Sequence, residues 1–217
     1  MENYIENFWK IRLSGLKKTL EKNHFDVFLA EDRIAAKKLV MEEIIPEISP
    51  KTVSWGGSMT LIDTGIYSAI KECDAFEVLD TFDKNLSRNK ALERRREALL
   101  VDLFITGTNA VTETGQLINL DMIGNRVAGL TFGPKNVILL VGKNKIVPGV
   151  EDAISRIKNY SAPANAMRLD KKTPCVKTSV CEECNSIDRI CNTWTITEKC
   201  FPKGRIKIVL IDENLGI

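Results

Sequence analysis

Histidine is almost missing from this chain, with one residue, His24, among 217. That excludes a Ser-His-Asp or Cys-His catalytic set and a histidine-rich catalytic zinc site. A charge excess is missing too. Thirty-one lysines and arginines against 29 aspartates and glutamates leave a net +2, which argues against a dedicated nucleic-acid binder. No run of roughly 18 apolar residues occurs, so no membrane-spanning helix is expected. The start, Met1-Glu2-Asn3-Tyr4-Ile5-Glu6, lacks the basic flank and apolar stretch of a secretory signal, and a cytoplasmic protein is the expectation. Thirteen glycines and seven prolines are too few for a collagen-like or largely disordered chain.

The rest of the composition, 44% hydrophobic and 28% charged, is that of a folded protein. The length suits one domain with an appendage. A chain this size buries roughly 70% of its extended surface and needs no metal merely to fold. Ile5, Phe8, Trp9, Leu13, Leu16 and Leu20 share one helical face, suited to packing on the domain or on a partner such as a second copy. His24 follows as a surface or cap residue. Short apolar runs and helical patterns then alternate: strands at 27–29, 52–55, 75–79 and 101–106, helices at about 32–40, 59–70 and 87–100. This predicts a mostly parallel sheet covered by helices. From Gly107 to Gly142 helical periodicity fades. Runs at 116–120, 127–132 and 137–141 are expected as consecutive strands and turns crossing one edge or end of the sheet. Pro148-Gly149 opens a last helix, 161–203 has no lasting period, and 205–211 returns as a terminal strand. The expected divisions are a core of residues 1–160, a cysteine-bearing segment of 161–203, and a strand at 204–217 that rejoins the core sheet.

Two stretches carry candidate chemistry. Val53-Ser54-Trp55-Gly56-Gly57-Ser58-Met59-Thr60 runs from strand through a glycine turn into a helix, an order that suits an anion. Gly56 and Gly57 let a phosphate or carboxylate approach the backbone, and Ser58 and Thr60 offer hydroxyls. The other reading is a turn forced by close strand–helix packing. The second stretch, Thr106 to Gln116, follows a strand at the sheet end where ligands bind. It supplies Thr108, Asn109 and one carboxylate, Glu113, as a base, a nucleophile or a hydrogen-bond anchor. Asn125 and Arg126 follow; Arg126 could clamp an anion, and Asp121 could pair with it. Asp63 reads as structural.

Cys73 stands alone, and the other five cysteines fall between 175 and 200. Five residues separate Cys175 from Cys181, two separate Cys181 from Cys184, and six separate Cys184 from Cys191. Those four suffice for tetrahedral zinc or a 4Fe-4S iron–sulfur cluster, with Cys200 as the spare. Free thiols and a Cys181–Cys184 dithiol pair are the alternatives.

These pieces resemble the LUD domain family, lactate-utilisation proteins once grouped as a domain of unknown function. The matching residues are Ser54-Trp55-Gly56-Gly57-Ser58, Asp102 to Gly107, Ala110 to Gly115, Gly124-Asn125-Arg126, Gly133-Pro134 and 137–142. The tail is similar to the family form with Cys-x-x-Cys…Arg-Ile-Cys-Asn, here Cys181 to Asn192, before Gly204-Arg205-Ile206. The resemblance implies a Rossmann-like, mostly parallel sheet with an inserted antiparallel portion, as in the sugar-isomerase and CoA-transferase superfamily. It implies a phosphate or pantetheine ligand at the glycine turn and a place in L-lactate oxidation beside iron–sulfur partner proteins. CoA transferases have a catalytic glutamate, and Glu113 lies in a similar part of that fold. Three functions follow as expectations. The first is a redox or organic-acid utilisation component binding a small anionic metabolite or cofactor. The second is a glutamate-dependent CoA transferase or sugar-phosphate isomerase. The third is a non-catalytic scaffold of a redox complex.

Overall fold

The computed structural model describes residues 3–217. In chain order its elements are α1 (Tyr4–Lys22), β1 (Asp26–Ala30), α2 (Arg33–Leu39), α3 (Ile45–Ile48), β2 (Thr52–Trp55), α4 (Met59–Asp63), α5 (Ile66–Lys71), β3 (Glu77–Leu79) and α6 (Arg88–Glu97). They continue with β4 (Leu103–Gly107), β5 (Ala110–Thr112), β6 (Leu117–Asp121), α7 (Asn125–Thr131), β7 (Asn136–Gly142), β8 (Ile146–Val147) and α8 (Val150–Arg156). The last are α9 (Ala162–Arg168), α10 (Cys175–Thr178), β9 (Thr193–Thr197) and β10 (Ile206–Ile211).

Six strands form one Rossmann-like sheet in the order β1-β10-β7-β4-β2-β3, and each neighbouring pair is parallel. A second sheet runs β8-β5-β6-β9. There β6 pairs antiparallel with both β5 and β9, while β5 pairs parallel with β8. Strand alternation divides the core. Val137, Leu139, Ile208 and Leu210 face Leu13, Leu16 and Leu20 of α1, whereas Ile138, Leu140, Val209 and Ile211 face Val40, Ile44, Trp55 and Leu61. With both faces covered, the central strands read as unbroken apolar runs. A smaller core of Ala110, Ile118, Val147, Ala153 and Ile157 joins the second sheet to α8.

Several local expectations change. The run at 127–132 is helical, not a strand: α7 buries Val127 and Leu130, three apart, and Gly129 lies against Phe104, where a Cβ would sit 2.8 Å from the ring. A short apolar run cannot by itself distinguish the two periods. The helix expected over 59–70 breaks into α4 and α5 at Gly65, whose φ is +69°. The stretch read as irregular contains α9, α10 and β9, and β9 ties it to the second sheet. On α1 only Leu13, Leu16 and Leu20 are buried, while Ile5 and Phe8 are exposed. No helix among the described residues is long and apolar enough to cross a membrane.

Candidate functional site

A cleft of about 750 Å³ opens beyond the carboxyl ends of β2 and β4. Gly57, Ser58, Gly107, Thr108, Asn109, Asn125 and Arg126 all line it, so the structure brings the two candidate stretches together. Close packing explains two of the glycines. A Cβ on Gly56 would stand 2.9 Å from Thr106 Oγ1 and 3.2 Å from Arg126 Cγ; one on Gly107 would stand 2.6 Å from Ser58 Oγ. Gly57 has open space around its α-carbon instead. The Ser58 hydroxyl caps α4 by accepting from Leu61 N at 3.2 Å. Because α4 is five residues long, a helix dipole adds little here. Any attraction for an anion would have to come from side chains.

Arg126 is the hub. Its Nη1 donates to Asn119 Oδ1 at 2.6 Å and Gly107 O at 3.3 Å; its Nη2 donates to Asn109 Oδ1 at 2.8 Å and Leu120 O at 3.0 Å. Thr108 and Asn109 complete this frame, since the Thr108 hydroxyl and Asn109 N also reach Asn119 Oδ1. The acceptors are neutral, so they orient the guanidinium without cancelling its charge. The nearest carboxylate, Asp121, is 3.8 Å from Nε and accepts from the backbone N–H groups of Met122 and Val127. Burial disfavours the charge of Arg126, and Asp121 partly offsets this.

Lys145 was not singled out by motif. It sits in a 3₁₀ turn after β7 and is 4% exposed, with Nζ donating to Thr60 Oγ1 at 2.8 Å. Thr60 in turn donates to Leu215 O at 3.3 Å. Burial, reinforced by Arg156 and Arg126, lowers the Lys145 pKa to about 7, with Asp63 opposing. The available signal was a lysine set between two apolar strands, at the carboxyl end of a buried one. Asp63 itself accepts from Gly216 N at 2.9 Å.

Glu113 lies elsewhere. It occupies the β5–β6 turn, its N–H bonded to Val147 O, and its carboxylate meets Arg12 of α1 at 2.6 Å. The side chain is 44% exposed and does not line the cleft.

Cys175, Cys181, Cys184 and Cys191 gather round one small cavity beside Ala162, Pro163 and Ala166. All are free thiols and half-buried. The Arg189 side chain donates to the carbonyls of Cys184 and Cys191 and so shapes the loop. Among the described residues no three His, Cys, Asp or Glu side chains are gathered closely enough to hold a single metal ion. Burial raises the Cys191 pKa, and the neighbouring Cys181 adds to the effect. Cys191 also lines the large cleft, so the two sites share a wall. Cys200 is apart and buried, its sulfur accepting from Ile206 N.

The family model of the LUD domain matches residues 13–211. A DUF162-family protein from Deinococcus radiodurans, solved as a crystal structure, is similar in fold with a TM-score of 0.52 at 13% identity. The match covers 94% of this chain and 98% of that one. No curated protein matches the chain.

Proposed function

The chain belongs to the LUD domain family, and from that premise we propose that it binds a small organic anion of the hydroxy- or oxo-acid class beside a cysteine-bound iron–sulfur cluster, as a redox component of organic-acid utilisation. One observation carries the reading. Lys84, Arg95, Arg126, Lys145 and Arg168 line the cleft against the single carboxylate side chain of Asp121. A concave wall with one dominant sign of charge concentrates a small anion, and its low-dielectric lining strengthens the field. Arg126 is already held in place, so its charge would act on an anion in the cleft without reorganisation.

Cys175, Cys181, Cys184 and Cys191 would hold the cluster, which would supply one-electron exchange when bound. The four thiols surround a cavity instead of converging at one point. Zinc draws its thiolates to about 2.3 Å from a centre, whereas a cubane keeps its cysteines around its own body. The cavity they line holds about 20 Å³, so a cubane would need the loop to spread around it. The chain's own residues do the rest: Arg189 orders the loop, and Cys191 places the thiolate set against the anion cleft. In this reading Glu113 is a structural partner of Arg12. Iron–sulfur partner proteins would exchange the electrons.

Two measurements test it. Protein purified without oxygen is assayed for iron, sulfide and visible absorption beside Cys184→Ser. Iron and sulfide in about equal amounts, with absorption lost in the variant, are expected; stoichiometric zinc or no metal would sink the cluster. Calorimetric titration with L-lactate, oxalate and phosphate then reads the cleft. Arg95→Ala should weaken oxalate about tenfold, equivalent to about 1.4 kcal/mol. Absence of binding by any of the three anions would remove the cleft reading.

A further inference from the structure

We propose that Lys145 is a catalytic amine that condenses with the carbonyl of an anionic aldehyde or ketone bound in the cleft. This rests on the cleft being the anion site.

The geometry departs from that of a structural lysine. A buried lysine ordinarily has a carboxylate partner, because an unpaired ammonium is costly to desolvate. Among the described residues Lys145 makes no salt bridge; its one hydrogen-bond partner is the neutral Thr60 hydroxyl at 2.8 Å. The charged groups that face it are Arg126 from α7, Arg156 from α8 and Asp63 from α4, and two of the three repel an ammonium. Arg156 is itself committed to Asn144 O, Asn109 O and the Ser161 hydroxyl. Lys145 nevertheless lines the cleft, as Arg126 does. A desolvated lysine flanked by cations is the arrangement that leaves an amine free as a nucleophile near neutral pH.

The step balances without an oxidant or a metal. The Nζ lone pair forms a bond to the carbonyl carbon, and the C=O π pair moves to oxygen, which takes up the proton released by nitrogen. Thr60 Oγ1, which accepts from Nζ at 2.8 Å, orients the amine. The carbinolamine hydroxyl then takes up a proton from solvent and leaves as water, giving a protonated imine. Arg126, whose Nη hydrogens are already donated within the protein, would attract the carboxylate or phosphate of the same molecule through its charge. A carboxylate source and a phosphate source share this chemistry, and the test separates them.

Wild-type protein is incubated with pyruvate or with glyceraldehyde 3-phosphate, reduced with borohydride, digested and mapped by mass spectrometry. Oxalate and phosphate, which cannot form imines, are titrated in parallel to read the cleft alone. The expected result is a reduced adduct on Lys145 with one of the two carbonyl compounds. Its yield should be half-maximal near pH 7 and suppressed by the matching unreactive anion. Lys145→Met should lose the adduct while keeping measurable anion binding. Thr60→Ala leaves the amine in place and should slow trapping about tenfold, so the inference does not hang on the folding of one variant. Adducts only on surface lysines, or none, while oxalate or phosphate still binds would overturn the catalytic amine and leave the anion cleft standing. No adduct and no anion binding would overturn both.

Discussion

Every residue of β10 is buried, Ile206 through Ile211, and β7 beside it is buried from Val137 onward. In the segment that carries the cysteines the four thiols are half-buried, Val180 is exposed and Ile187 is fully exposed. The sheet is held by apolar burial on both faces, where each buried Val, Leu or Ile contributes about 1.5–3 kcal/mol. The segment is held by polar ties: Arg189 to two carbonyls, Lys158 to Glu183, Lys172 N to Asp188 and Asn192 N to Asp121 O. Exposed ion pairs and loop hydrogen bonds stabilise little on their own. The contrast teaches that the same chain combines a scaffold held by apolar burial with a segment held mainly by polar ties.

The largest test of the contrast is in the scaffold. Phe104 is 1% exposed and touches Gly56 and Gly129, so Phe104→Ala should destabilise the whole protein by about 3–5 kcal/mol in urea unfolding. Next comes Lys145, which couples the cleft to stability. Its pKa is lowered in the folded state to about 7 from 10.5, so between these values the unfolded chain binds more protons. Stability from this group therefore rises with pH across that window. Wild type should gain on the order of 2–3 kcal/mol from pH 7 to 9 relative to Lys145→Met; parallel slopes for the two proteins would refute the burial argument. Removing metal anaerobically with a chelator should raise amide exchange across 175–191 and leave β10 protected. Uniform loosening of both regions would erase the distinction drawn above. The smallest effect belongs to Glu113→Gln. Arg12 and Glu113 are partly exposed, so loss of the pair should cost about 0–1 kcal/mol and leave oxalate affinity unchanged. A lost affinity would return Glu113 to the site.

The parallel sheet was legible because its strands are continuous apolar runs between helical periods. The glycine turn and Arg126 were legible because turns that follow buried strands sit at the ligand-binding end. What local pattern could not reveal was non-local. Val127 and Leu130 satisfy either period, and only contact of Gly129 with Phe104 selects the helix. Glu113 and Arg126 are near in sequence, yet the β5–β6 turn faces α1 while Arg126 turns into the cleft. Lys145 has no motif at all. Its chemistry comes from burial beside Arg126 and Arg156, which are contributed by different helices.

The sheet order also sets a timetable. Strand β1 is made first and has one neighbour in the sheet, β10, which is made last and wedges between β1 and β7. During synthesis both β1 and the open side of β7 wait with unpaired backbone groups until β10 has emerged. The scaffold therefore closes late, through contacts distant in sequence, and a nascent chain stalled before Ile206 is a sticky, half-finished sheet that invites chaperones or pairing with a stray strand.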